Sequence, residues 1–134
     1  MNDISPCRTT DRKSHVEAAA RRVRDREREW ARANSERQRR AMKDAAAIIR
    51  MLVRDYRPVR VWQWGSLLRP NAVRDYSDID IAMEGVANAE RFFELLGKAA
   101  AMTTFPLDIV QLEKIAPEHA ADIRRKGKLV YERS

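Results

Sequence analysis

The spacing of apolar residues changes near residue 58, and the change separates a helical part of the chain from a strand-forming part. Between Glu36 and Arg54 the apolar positions follow the i, i+4, i+7, i+8 spacing of a helix packed on a core. These positions are Ala41, Ala45, Ile48, Ile49, Leu52 and Val53. Pro58 is predicted to end this helix, because proline disfavours helical backbone at the preceding residue.

The segment before this helix has a much thinner apolar seam. Residues 1–12 are predicted to form an extended or disordered leader, and Ser14 is predicted to cap a helix that runs to about Ala33. Asn34-Ser35 is predicted to break or re-cap this helix. Three apolar residues repeat every seven positions along it, namely Val16, Val23 and Trp30. So narrow a seam favours contact with one partner helix rather than burial in a core.

The second half of the chain alternates in the way that strands do. Val59–Trp64 is the first predicted strand, with Arg60, Trp62 and Trp64 on one face. The later predicted strands cover residues 77–82, Phe105–Val110 and Lys128–Tyr131. Helices are predicted at 89–102, with Asn88 as the cap, and at Pro117–Lys126, with Gly127 as the C-terminal cap. This order predicts an α+β (α/β-like) fold in which helices flank a small sheet.

Two acids alternate with isoleucines in the second predicted strand, Asp78-Ile79-Asp80-Ile81. Residues two apart on a strand share a face, so both carboxylates project together at a spacing of about 6–7 Å while the isoleucines face a core. Like charges this close repel each other unless a divalent cation neutralises them. The pair therefore suggests a metal site, and solvated acids at a sheet edge are the alternative.

A Gly65-Ser66 turn follows the first predicted strand. Glycine lets the backbone approach a ligand closely, and a helix that begins at Ser66 would favour a phosphate at its N-terminus. Asp108 adds a third acid inside the apolar run Leu107–Val110, where a carboxylate is costly to bury unless it is paired or bound to metal. A phosphate cradle beside metal-binding carboxylates is typical of nucleotidyl transfer.

These residues together resemble the signature of the polymerase-beta-type nucleotidyltransferases: Gly65-Ser66, eleven residues, then Asp78-Ile79-Asp80. The run from Tyr76 to Gly85 is similar to the minimal nucleotidyltransferase (MNT) antitoxins, in which the gap after the serine is usually one residue shorter. Asp108 matches the single acid on that family's third strand, and Arg69 matches the arginine after its Gly-Ser. The similarity spans roughly residues 41–131.

The resemblance implies a small mixed sheet of the polymerase-beta type flanked by helices, here preceded by a long arginine-rich helical arm. It implies that Asp78, Asp80 and Asp108 are catalytic and hold Mg²⁺, with two ions expected. It implies that Gly65, Ser66 and Arg69 bind the nucleotide. ATP would be the co-substrate, and AMP would pass to a tyrosine of a HEPN-type ribonuclease toxin, which would be the partner and would be neutralised.

The residues leave other readings open. Asp108 could hold the second metal or accept the acceptor's proton. A small-molecule nucleotidyltransferase of the aminoglycoside type would keep all three acids, and a non-catalytic antitoxin would act by binding alone. Both tryptophans of the first strand are predicted to pack in the core, with adenine stacking as the alternative for Trp64.

Composition sets the remaining bounds. The chain of 134 residues carries a net charge of +7, and residues 1–60 hold 17 Lys/Arg against 9 Asp/Glu while residues 61–134 hold 10 against 11. We predict a leader at 1–12, a basic helical arm at 13–40 and a nucleotidyltransferase domain at 41–134. The first interpretation of the arm is a solvated charged face, and the alternative is a docking arm for another chain in a homo- or hetero-oligomer. Nucleic-acid binding is less favoured, because its basic residues are interleaved with acids.

The expected location is the cytoplasm. The single cysteine, Cys7, forms no internal disulfide, which suits a reducing compartment. No run approaches the roughly 18 apolar residues of a membrane span, so no membrane partner is expected.

Overall fold

A computed structural model describes residues 5–65 and 78–134 of the chain, with side chains from residue 12 onward. Three helices and four strands make up these residues. In chain order they are α1 (Ser5–Tyr56), β1 (Arg60–Trp64), β2 (Ile79–Glu84), α2 (Ala89–Ala100), β3 (Leu107–Gln111), α3 (Pro117–Lys126) and β4 (Lys128–Glu132).

Helix α1 is longer than the sequence pattern predicts. It is helical from Ser5, within the segment predicted as a leader, and it runs through Ser14, so the cap predicted at Ser14 is wrong. The helix also continues through Asn34 and Ser35, where a break was predicted. The reason is the lack of a breaker: asparagine and serine cost a helix only a few tenths of a kcal/mol each, roughly, relative to good helix formers. Pro6 stands in the first turn, where proline is tolerated.

The chain divides into two units, residues 1–35 and 36–134. In the first unit, the side chains of residues 12–35 are exposed, apart from half-buried Ala18 and Asn34. The heptad residues Val16, Val23 and Trp30 are all exposed. The boundaries predicted at residues 12 and 40 remain predictions.

The four strands form one mixed sheet in the order β3-β2-β1-β4. Strand β1 is antiparallel to both β2 and β4, and β2 is parallel to β3. The predicted fold class is confirmed: a small mixed sheet carries helices, and a long helix precedes it. Strand β3 begins at Leu107 rather than at Phe105, because Phe105 and Pro106 lie in the preceding loop.

Each face of the sheet has its own core within residues 36–134. Ile79, Ile81 and Met83 of β2 are fully buried on one face. Helices α1 and α2 supply the residues that cover them, which include Ala41, Ala45, Ile48, Leu52, Leu95 and Ala99. On the other face a smaller cluster joins Trp62 and Ala82 to Ala120 and Ile123 of α3. The alternation of β2 places Asp80 on this second face, together with Ala82.

Local signals in the sequence account for both short helices. The Asn88 side chain accepts a hydrogen bond from the Arg91 backbone N–H at 3.0 Å, which confirms the predicted cap of α2. Pro117 opens α3, and the Gly127 backbone N–H donates to the Ile123 carbonyl at its end. None of the helices within the described residues is long and apolar enough to cross a membrane.

Candidate active site

Asp80 and Asp108 lie side by side at the start of the two parallel strands. The register of β2 and β3 pairs Asp80 directly with Asp108, so the two side chains share a face of the sheet. On the other side of Asp80, the antiparallel register of β1 pairs it with Trp64. The sheet therefore presents a row, Trp64–Asp80–Asp108, on the face that carries α3.

Asp78 stands immediately before β2, where the Ile79 backbone N–H donates to the Pro106 carbonyl at 2.9 Å. That bond ties the start of β2 to the residue before β3, so Asp78 and Asp80 stay at the same end of the sheet as Asp108. Asp78 is half-buried, and its Oδ1 is buried without a hydrogen-bond partner among residues 12–65 and 78–134. A carboxylate oxygen in that condition is costly unless it gains a ligand.

Gly65 follows the last residue of β1. Its backbone has a φ of 85°, a conformation that favours glycine. A Cβ at this position would overlap the carboxylate of Asp80. The absence of a side chain therefore lets the turn lie directly against Asp80. Two elements that the sequence suggested separately, the glycine turn and the acids, meet here in space.

The remaining nucleotide-binding predictions lie outside the described residues. Ser66 and Arg69 fall within residues 66–77, as does the helical turn predicted after Gly65. Their roles therefore remain predictions.

Trp64 is the aromatic member of this row, on β1. Trp64 is half-buried and packs against the cluster beneath α3, in agreement with the predicted packing role. Its indole meets the His119 ring edge-on, with centroids 5.9 Å apart and planes at 87°. The contact of His119 with Trp64 was not predicted, because only the packing of α3 on β1 brings the two rings together.

A carboxylate that the sequence did not single out fixes α3 on the sheet. Glu84 accepts hydrogen bonds from Arg60 Nη1 at 3.1 Å and from Arg124 Nε at 2.9 Å. Arg60 also donates to Glu132 at 2.8 Å, and hydrogen bonds to Glu132 and Glu84 raise the pKa of Arg60. This network lies at the opposite end of β2 from Asp80.

The donors at the row suit a hard cation. Carboxylate oxygens are the ligands of Mg²⁺, which is usually held by one or two carboxylates together with phosphate oxygens of a substrate. Within residues 12–65 and 78–134, no three Asp, Glu, His or Cys side chains gather closely enough to hold an ion by themselves. The arrangement therefore fits a metal that arrives with a nucleotide better than a closed metal site made only of protein ligands.

The comparison with known families agrees with this geometry. A family model described as polymerase beta nucleotidyltransferase matches residues 46–134. The chain belongs to this nucleotidyltransferase family. The match confirms the predicted superfamily, and its range includes β1, β2 and β3 together with Gly65 and the three aspartates. No curated protein matches the chain in sequence.

Two solved structures are similar to the chain, and the first of them supports the predicted antitoxin branch of the nucleotidyltransferases. A toxin–antitoxin crystallised with AMP-PNP is 25% identical, with a TM-score of 0.53, over 66% of this chain and 73% of that one. The toxin–antitoxin MntA-HepT is 23% identical, with a TM-score of 0.50, over 69% of this chain and 73% of that one. The second of these likenesses supports the fold alone.

Proposed function

We propose that this nucleotidyltransferase is an antitoxin that transfers AMP from ATP to a tyrosine hydroxyl of a HEPN-type toxin, with Mg²⁺ bound at the aspartates. Nucleotidyltransferases of this fold generally use ATP and a divalent metal. The structure crystallised with AMP-PNP belongs to a toxin–antitoxin, which supports both the nucleotide and the kind of partner.

The observation that carries this proposal is the pairing of Asp80 with Asp108 beside the Gly65 turn. A purely structural sheet gains nothing from two like charges in adjacent positions, since such pairs are destabilising. A glycine whose Cβ would overlap one of those carboxylates lets the backbone of the turn lie directly against Asp80.

Each residue then has a defined task. Asp80 and Asp78 would hold Mg²⁺, which when bound neutralises the phosphate charge that develops during transfer. The backbone at Gly65 would lie along the β- and γ-phosphates. The acceptor hydroxyl would lose its proton to Asp108 while its oxygen bonds to the α-phosphorus. The bond from that phosphorus to the bridging oxygen would break, and pyrophosphate would leave.

The test is to incubate the chain with ATP, Mg²⁺ and a purified HEPN toxin and to measure the mass of the toxin. We expect the toxin to gain one adenylate, and we expect EDTA or Asp80→Asn to abolish the gain. Asp122→Asn is the matched control, because Asp122 lies on the exposed face of α3 and pairs with Arg125 and Lys126.

The same variants separate the alternatives. If Asp78→Ala and Asp80→Ala leave neutralisation of the toxin intact, the chain acts by binding alone. If adenylate passes to an aminoglycoside and never to the toxin, the acceptor is a small molecule. Either result would contradict the proposal.

The role of the N-terminal part of α1 belongs to the same proposal. Because Val16, Val23 and Trp30 repeat every seven residues and are exposed, this helix would bind one helix of another chain. Replacing all three residues with serine would then dissociate the complex without affecting the fold of residues 36–134. An unchanged complex would contradict this role.

A further inference from the structure

A basic groove lies between the C-terminal half of α1 and the loop that leads into β3. A cavity of about 480 Å³ is lined by Arg37, Arg40, Lys43, Asp44, Thr104 and Phe105. A second cavity, of about 340 Å³, shares Arg40 and Lys43 with it and adds Glu36 and Arg39. Arg40 and Lys43 line both cavities, and the two cavities together are called the groove below.

The shape of the groove is fixed by hydrogen bonds. Thr103 Oγ1 donates to Asp44 Oδ2 at 2.8 Å, which joins the loop to α1. The same hydroxyl accepts from the Phe105 backbone N–H at 3.1 Å. The half-buried ring of Phe105 packs against the larger core cluster, so it gives the groove a rigid apolar floor.

The charge of the groove is available for a ligand. Within the described parts of the chain, neither Arg40 nor Lys43 makes a hydrogen bond or an ion pair. Acids lie close to the cations as well, since Glu36 lines one cavity and Asp44 lines the other. A continuous phosphodiester backbone would be repelled by these acids, whereas a protein segment can place its own charges to suit both signs.

The groove lies at the same end of the sheet as Asp108, on the opposite face, which α1 covers. Phe105 precedes Asp108 by three residues, a reach of about 10 Å in extended chain. Among the described strands, β3 is at the edge of the sheet, whereas the Gly65 turn follows β1 on the other side of Asp80. A nucleotide held at Gly65 would therefore keep the β3 side of Asp80 open to the acceptor.

We infer that this groove binds an acidic segment of the acceptor protein. The inference rests on the proposed function, since it names how the acceptor of that reaction is recognised. Carboxylates of the segment would pair with Arg40 and Lys43, and an apolar side chain of the segment would cover Phe105.

The test uses a fluorescent, glutamate-rich peptide that ends in a tyrosine, and a matched peptide with glutamine in place of glutamate. Binding is measured by fluorescence anisotropy on the full chain, without ATP. We expect only the acidic peptide to bind, and we expect Lys43→Glu to weaken it about fivefold or more, because an attraction is replaced by a repulsion. Arg40→Glu combined with Lys43→Glu should abolish binding.

Lys114→Glu is the matched control, because it makes the same charge change at another exposed lysine, in the turn after β3. An equal loss with this control would mean general electrostatic attraction and would overturn the inference. So would failure of the acidic peptide to bind. The inference would also be overturned if a single-stranded RNA oligonucleotide or inorganic tripolyphosphate bound the chain and lost more affinity with Lys43→Glu than the acidic peptide does.

Adenylate transfer to the tyrosine of the bound peptide is measured separately by mass spectrometry. Binding that depends on Lys43, with no transfer, would support the groove while contradicting the proposed function. Transfer that is unaffected by Lys43→Glu at limiting peptide would support the function and overturn the groove.

Discussion

Asp108 on β3 is paired with Asp80 on β2 in the parallel register of the sheet. Strands in a sheet are about 4.8 Å apart, so two carboxylates on one face of neighbouring strands repel each other. The repulsion between these two carboxylates opposes folding, and a bound cation would reduce it. Loss of one carboxylate of the pair is therefore expected to raise stability and to lower activity, and these two effects can be measured separately.

Asp108→Asn is expected to abolish nucleotidyl transfer and at the same time to stabilise the fold. The amide removes one of two adjacent like charges, which is worth about 0.2–1 kcal/mol in the free energy of unfolding without Mg²⁺. Transfer is expected to fall by about 100-fold or more, since a positioned acid or base contributes that much. Thermal melts in EDTA and the adenylation assay are the two measurements.

The control for this variant is Asp122→Asn. Hydrogen bonding from Arg125 lowers the pKa of Asp122, so loss of this carboxylate removes a favourable exposed contact and should leave transfer unchanged. A melting temperature of Asp108→Asn at or below that of the wild type would show that Asp108 is not repelled by Asp80.

Gly65→Ala is expected to inactivate the site while the chain still folds. The backbone at φ 85° is strained for alanine, at a cost of about 1–3 kcal/mol, and the new Cβ would overlap the Asp80 carboxylate. Gly97→Ala is the matched control. Among the described residues, no atom outside the adjacent backbone of α2 lies within 4 Å of a Cβ at that position, so this change should stabilise the helix by roughly 0.5–1 kcal/mol and leave transfer unaffected.

Urea titrations and the transfer assay distinguish these outcomes. If Gly65→Ala transfers adenylate at the rate of the wild type, then the glycine turn does not contact the nucleotide or its metal.

The local pattern of the sequence was enough to predict the sheet and the short helices. Asn88, Pro117 and Gly127 are capping or terminating residues whose effect depends on neighbours in the chain, and the structure has helix ends at each of them. The alternation around Asp80 also predicted correctly that the isoleucines are buried. Asp108 was placed with Asp80 only through the family resemblance, because strand pairing is not local.

The predictions that were wrong and the contacts that were not predicted have the same physical origin. The continuity of α1 past Ser35 was missed because weak helix formers do not end a helix that lacks glycine and proline. The contact between Trp64 and His119 was missed because it joins residues 55 positions apart. Glu84 gave no signal in the sequence, since its partners come from β1 and α3.

Glu84→Ala is expected to destabilise the fold by about 1–2 kcal/mol, because it leaves two guanidinium groups without their shared acceptor. The Glu84 side chain is only 15% exposed, so solvent replaces it poorly. Glu132→Ala is the control: it removes the other partner of Arg60, but this carboxylate is 53% exposed and should contribute about 0.5 kcal/mol or less.

Chemical denaturation of both variants is the measurement, with the slope of the transition checked for a change. Equal destabilisation by Glu84→Ala and Glu132→Ala would mean that the anchoring of α3 does not depend on the shielded carboxylate.

Tyr56 is expected to lower the free energy of unfolding at alkaline pH. Burial raises the pKa of the Tyr56 phenol above its ordinary value of 10.0, and the charge of Glu94 raises it further. At lower pH the phenol is neutral in both folded and unfolded chains, so stability does not change. Once the pH passes the ordinary value, the unfolded chain loses the proton first, and the free energy of unfolding falls as pH rises.

Tyr56→Phe should remove this part of the alkaline loss. Within the described residues the buried Tyr56 hydroxyl has no hydrogen-bond partner, so its loss at neutral pH should cost little. The ring contacts of Arg91 and Lys98, at 5.3 and 5.4 Å from its centroid, are kept by phenylalanine. Urea titrations between about pH 9 and pH 11 measure the effect. Tyr131→Phe is the control. If the free energy of unfolding of Tyr56→Phe falls at alkaline pH as much as that of the wild type, the prediction is contradicted.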